Sequence, residues 1–176
     1  MTSRLRLAGL LALAIAFATG CTGTAHATFP PIGSTPGPAG DTTAAATNQV
    51  IGALATVGLQ AAVTNHAYRP PEGPLLAAAP RTVLQVTLPD DPSHGYIVVY
   101  SLIDTQTAQA AASDMGVYIA SGVGHIQFIA NSRFVLRVIG SAVVFFTWSP
   151  DNAPDGRTHL IEDALATVGE SVAIPA

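Results

Sequence analysis

The hydrophobic positions of residues 82–148 change period twice, and each change marks an element. Leu84, Val86 and Leu88 alternate with polar neighbours, the two-residue repeat of a strand over Thr82–Leu88. Pro89-Asp90-Asp91-Pro92-Ser93-His94-Gly95 is turn chemistry. Tyr96–Ile103 is a β-branched and aromatic run suited to a central strand. The period then becomes helical. Asp104 or Thr105 serves as a cap, Ala108, Ala111, Ala112, Met115, Tyr118 and Ile119 share a face, and Gly122 suits the stop. Three further strands follow, His125–Ala130, Arg133–Ile139 and Ala142–Trp148, joined by the short turns Asn131-Ser132 and Gly140-Ser141.

Helical periodicity also brackets this core. Ile51, Leu54, Ala55, Gly58 and Ala62 predict a helix over Ala44–Val63, and Leu160, Ile161, Ala164, Leu165 and Val168 predict one over Asp155–Val172. Tyr68–Pro80 holds four prolines and is expected to be irregular. The order is α-β-β-α-β-β-β-α, which predicts an α+β domain with an antiparallel or mixed sheet of about five strands and helices packed on it. That domain is expected to occupy residues 44–176.

The first 43 residues have a different composition. Arg4 and Arg6 precede an apolar run from Leu7 to Ala18, and small residues lead to Cys21, the single cysteine of the chain. A basic start, a short apolar stretch and a small-residue cleavage site define a secretory signal peptide. The stretch Ala18-Thr19-Gly20-Cys21 resembles the lipobox of bacterial lipoproteins, with Ala18 where leucine is more usual. That resemblance implies cleavage after residue 20 and acylation of Cys21, palmitate included. It places the chain on the extracytoplasmic side of a cell or outer membrane. An ordinary signal cut after Ala25 or Ala27, or an uncleaved anchor, is the competing reading. The apolar run is shorter than the ~20 residues that span a bilayer. Residues 21–43, rich in Thr, Pro, Gly and Ala, read as a flexible tether. Tyr100–Val172 also resembles small envelope lipoproteins of unknown function, with a tyrosine-ended strand, an alanine-rich helix and a hydrophobic hairpin. That likeness carries no functional residues.

Charge narrows the partners. The net charge is −4, every basic residue is arginine, and removal of Arg4 and Arg6 leaves the remainder more acidic. Nucleic acid and anionic lipid surfaces both need basic patches, so neither is an expected partner. The expected contacts are the membrane, through an N-terminal lipid, and an envelope protein or amphipathic ligand.

Candidate chemistry is sparse. Asp90, Asp91 and His94 place two carboxylates and an imidazole within one turn, a set that a metal or a small hydrolase could use. Turn formation explains the same residues. His159 with Glu162 or Asp163 has the spacing of an ordinary helix-surface pair. No nucleophile elbow, phosphate loop or paired-cysteine metal motif occurs, and no metal or other cofactor is expected.

The hairpin is more informative. With Gly140-Ser141 as its turn, Arg137 faces Val144 and Ile139 faces Ala142, so Val135, Arg137, Ile139, Val144, Phe146 and Trp148 share one face. An Asn131-Ser132 turn adds Phe128 and Arg133 to that face. Phe134, Leu136, Val138, Val143 and Phe145 occupy the other, with His125, Gln127 and Ile129. Both faces are apolar, so helices are expected to cover both. The sharper alternative is that Arg133, Arg137, Phe146 and Trp148 form a partly open surface for an anionic or aromatic partner. Three functional readings stand together: a tethered, non-enzymatic binding module, a small envelope hydrolase using the Asp90/Asp91/His94 loop, and a purely structural envelope protein.

Overall fold

The hairpin register is the one the alternation predicts. In the computed structural model, which describes residues 39–175, β4 (Arg133–Ile139) and β5 (Ala142–Trp148) pair antiparallel with Arg137 opposite Val144 and Ile139 opposite Ala142. Around it stand α1 (Ala39–Thr56), β1 (Ala61–Thr64), α2 (Pro74–Ala77), β2 (Arg81–Val86), β3 (Tyr96–Ser101), α3 (Thr105–Ala120), α4 (Gly122–Gln127), α5 (Thr158–Ala166) and β6 (Glu170–Ser171). The strands make one six-stranded sheet in the order β1-β2-β3-β5-β4-β6, antiparallel at every pairing. The fold is α+β. Residues 1–38, with the signal segment, Cys21 and most of the expected tether, lie outside the described residues.

Helices cover both faces of the sheet. Val135, Ile139, Val144 and Phe146 pack with Leu54 and Val50 of α1 and with Ile161 and Leu165 of α5. On the opposite face Leu136, Val138, Val143 and Phe145 pack with Ala108, Ala112 and Met115 of α3 and Leu76 of α2. Ala108, Ala111 and Ala112 of α3 are fully buried in the cluster that holds Tyr100 and Phe145, so the helix meets the sheet through small side chains.

Four stretches of the chain differ from expectation. His125–Ala130 is not a strand: Gly122–Gln127 forms α4, and Ser121 caps it by accepting from Gly124 N (3.1 Å). Gly124 has no side chain to obstruct the end of α3, where a Cβ would stand 2.2 Å from the Tyr118 carbonyl oxygen. Consequently Phe128 falls on the α3 side, edge-on to Phe134 with ring centroids 4.8 Å apart, rather than beside the arginines. α1 spans Ala39–Thr56 rather than Ala44–Val63, so it begins inside the stretch expected to be tether, and Thr43 is buried with Oγ1 2.5 Å from Ser101 Oγ. The chain after it turns into β1, which adds to the free edge of β2. The last helix stops at Ala166 rather than Val172, and Glu170–Ser171 becomes the short β6 against β4. A single helical turn, α2, interrupts the proline-rich segment.

Candidate functional site

The arginine-bearing face carries little free surface. Phe146 is 1% exposed under α1 and α5. Arg137 donates from Nε to the Val168 carbonyl (2.7 Å) and from a terminal nitrogen to the Gly169 carbonyl (2.8 Å), closing the chain that leaves α5. Arg133 donates to Glu162 (2.9 Å) with its guanidinium 5.7 Å from the Trp148 ring centre, and Trp148 Nε1 donates to the other Glu162 oxygen (3.1 Å). These four residues therefore hold α5 on the sheet. The alternative of an open surface across Phe146 and Arg137 does not hold: Phe146 is enclosed, and the half-buried Arg137 commits its guanidinium to the carbonyls after α5.

The sheet ends nearby in a cleft of about 190 Å³, where β5 runs out at Trp148 and β3 begins at Tyr96. Its walls come from five separate stretches: Tyr68 before α2, Asp91 and His94 from the β2–β3 loop, Phe128 after α4, Trp148 at the end of β5, and Asn152 beyond it. A second groove of about 350 Å³ adjoins it and shares Phe128, Ile129 and Ser132. Ile119 and Phe134 line that groove, and Ile129 is 59% exposed beside it.

Local hydrogen bonds position the polar pair. The Asp91 amide donates to the Leu88 carbonyl (3.0 Å), and the His94 amide to the Asp91 carbonyl (3.3 Å). This winds residues 88–94 into successive turns and brings His94 Nδ1 to 2.5 Å from Asp91 Oδ1. An ionised carboxylate only accepts, so Nδ1 is the donor of that hydrogen bond. Asp91 is 4% exposed, yet its Oδ2 is buried without a hydrogen-bond partner among the described residues. Asp90 does not join the pair: its side chain is exposed, and its amide donates to Asp155 Oδ2 (3.2 Å). Asp155 in turn accepts from the Arg157 side chain and amide. Those Arg157 hydrogen bonds, aided by the Asp90 amide, hold the Asp155 carboxyl well below the usual carboxylate range. The loop bearing Asp91 is thus moored to the start of α5.

Two serines line the cleft, and both hydroxyls are occupied. Ser149 donates to the Ala130 carbonyl (3.0 Å) and Ser132 to the Ile129 carbonyl (2.6 Å). Neither forms a hydrogen bond with His94. No group of three or more His, Cys, Asp or Glu side chains is placed to hold a metal among the described residues. His159 bonds the Gly156 carbonyl (2.7 Å) instead of a carboxylate.

A second polar cluster is internal to the fold. Glu72, 3% exposed at its side chain, accepts from Arg69 (2.7 Å), Arg81 (2.8 Å) and Tyr100 (2.5 Å). Burial, with that hydrogen bond to Glu72, pushes the Tyr100 hydroxyl well above the ordinary tyrosine range. Every oxygen of this cluster is satisfied, so it pins the proline-rich connection to the sheet.

Sequence reasoning singled out Asp91, His94 and Trp148 but not their convergence. Phe128 lies in a stretch whose pattern reads as a strand, and Tyr68 and Asn152 sit in segments with no periodicity. These features define the chain as an α+β domain with a polar-floored cleft at the end of its sheet. No family model, curated protein or solved structure matches it.

Proposed function

We propose that this chain is a membrane-tethered, non-enzymatic lipoprotein of the cell envelope that acts as a binding module, with the Asp91–His94 cleft as its ligand seat. The observation that carries the proposal is Asp91: a carboxylate 4% exposed, lining a partly aromatic cleft, with one oxygen unpartnered. A buried polar group without a partner costs on the order of 1–3 kcal/mol, so such a group marks a place built for more than packing. Aromatic walls with a few convergent polar groups are the usual make-up of a small-molecule site. Tethering rests on Cys21 and the lipobox resemblance around it.

Trp148 lines the cleft and is the single tryptophan of the chain, so its emission reports occupancy. Titration with fractionated envelope amphiphiles is expected to shift that emission saturably, and Ala153→Phe, which fills the cleft, is expected to abolish the shift. Emission that no fraction changes would remove the binding reading.

The hydrolase reading has one observation in its favour: His94 Nδ1 is held by a carboxylate and Nε2 is left to move a proton. With both cleft serines bonded to carbonyls, the attacking group would be water or the Thr147 hydroxyl. Ester or amide turnover lost in His94→Ala would favour that reading over binding alone.

A further inference from the structure

We propose that the cleft takes an organic cation, a primary ammonium group carried on an unbranched apolar stem. The inference rests on the reading of the cleft as the ligand seat and adds the chemistry of what sits there. Asp91 is the one acidic or basic residue among the cleft's lining residues, apart from His94, and Arg133, which stands against the Trp148 ring, is paired with Glu162, so the charge the site presents is that of Asp91. Carboxylate and phosphate ligands are repelled there. The Asp91 Oδ1 lone pairs face His94, while Oδ2 still requires a donor. An ammonium supplies three N–H donors, and a charge-assisted hydrogen bond is roughly twice as strong as a neutral one.

The walls suit the rest of such a ligand. Tyr68, Phe128 and Trp148 line it, and their apolar area suits an alkyl stem. The neighbouring groove, reached past Phe128 and Ile129, continues the apolar lining onto Ile119 and Phe134, so a stem leaving the cleft stays out of water. Oδ2 is buried, so a ligand reaches it through a local shift of the cleft wall, where the His94 side chain is 53% exposed and held by one hydrogen bond. The overall charge of −4 draws cations toward the domain.

The test uses four matched probes read by Trp148 emission: hexylamine, hexan-1-ol, hexanoate and hexyl glucoside. Hexylamine is expected to bind about tenfold tighter than hexan-1-ol, the gap between a charged and a neutral donor, with hexanoate weakest. Asp91→Asn is expected to erase the amine's advantage while leaving hexan-1-ol binding in place, which also shows that the variant is folded. Hexan-1-ol or hexyl glucoside binding as tightly as hexylamine to the unaltered protein would overturn the cation assignment while leaving the cleft as a ligand seat. An amine advantage that survives in Asp91→Asn would overturn it too. If no probe changes the emission of the unaltered protein, the cation assignment and the ligand seat both fall.

Discussion

Asp155 shows how one side chain fixes the geometry of a distant loop. It is 2% exposed, and its oxygens accept from Arg157 and from the Asp90 amide across the β2–β3 loop. Because those bonds lower its folded-state pKa, its stabilising contribution is complete above the unfolded carboxylate value of about 3.9 and fades as pH falls below it. The melting-temperature gap between the unaltered protein and Asp155→Asn is therefore expected to be constant near neutrality and to shrink below about pH 4. A gap that widens in acid would contradict the assignment. Gly169 is a second such residue. Its φ is +57°, and a Cβ there would stand 2.3 Å from the Val138 carbonyl oxygen. Gly169→Ala is expected to cost at least ~1 kcal/mol in a denaturant titration, because both the backbone and β4 must shift. No residue pattern announced either role. Asp155 reads as the first residue of the last helix and Gly169 as one within it until β4 is seen beside the chain.

Among the elements, the hairpin is the best tied to the sequence and α4 the least. A strand's side chains alternate strictly, so once Gly140-Ser141 is the turn, every residue of β4 and β5 is committed to a face. Phe145, 1% exposed, sits between β3 and β4 on the α3 side. Phe145→Ala is expected to lower stability by ~3–5 kcal/mol by urea unfolding, through lost burial and a residual cavity. An unchanged midpoint would place β5 outside the core. Ile161 and Leu165 of α5 are buried as well, but on the opposite face from Phe145. For α4 the pattern misleads, because Ile126 is 84% exposed and Ile129 59%. The alternation of Ile126 with His125 and Gln127 does not report a buried face. Ile126→Ser is accordingly expected to move the same midpoint by no more than ~0.5 kcal/mol, the range of ordinary surface substitutions. Short elements such as α4, β1 and β6 are chosen by what they dock on, since a few residues carry too little propensity to decide alone.

For the whole molecule, the proposed tether is what gives the cleft a location. Cys21→Ser is expected to move the protein from the membrane fraction to the soluble one or to leave its precursor uncleaved. Unchanged fractionation with normal processing would contradict lipid anchoring. Stable anchoring calls for more than one acyl chain, since a single myristoyl-length chain binds membranes only marginally. The sequence by itself determined the class, the two apolar faces of the hairpin, the N-cap of α3 and the turn that presents Asp91 and His94. All of these follow from periodicity or from residues within a few positions of one another, where the chain's own geometry dictates who meets whom. Tertiary structure alone decided that α1 and α5 cover the arginine-bearing face and that β1 and β6 extend the sheet. It also decided that Tyr68, Asp91, Phe128 and Trp148 meet around one cleft. Those residues lie far apart along the chain, and no local rule relates them. Their meeting depends on which edges and faces were left uncovered once the hairpin and its helices had packed.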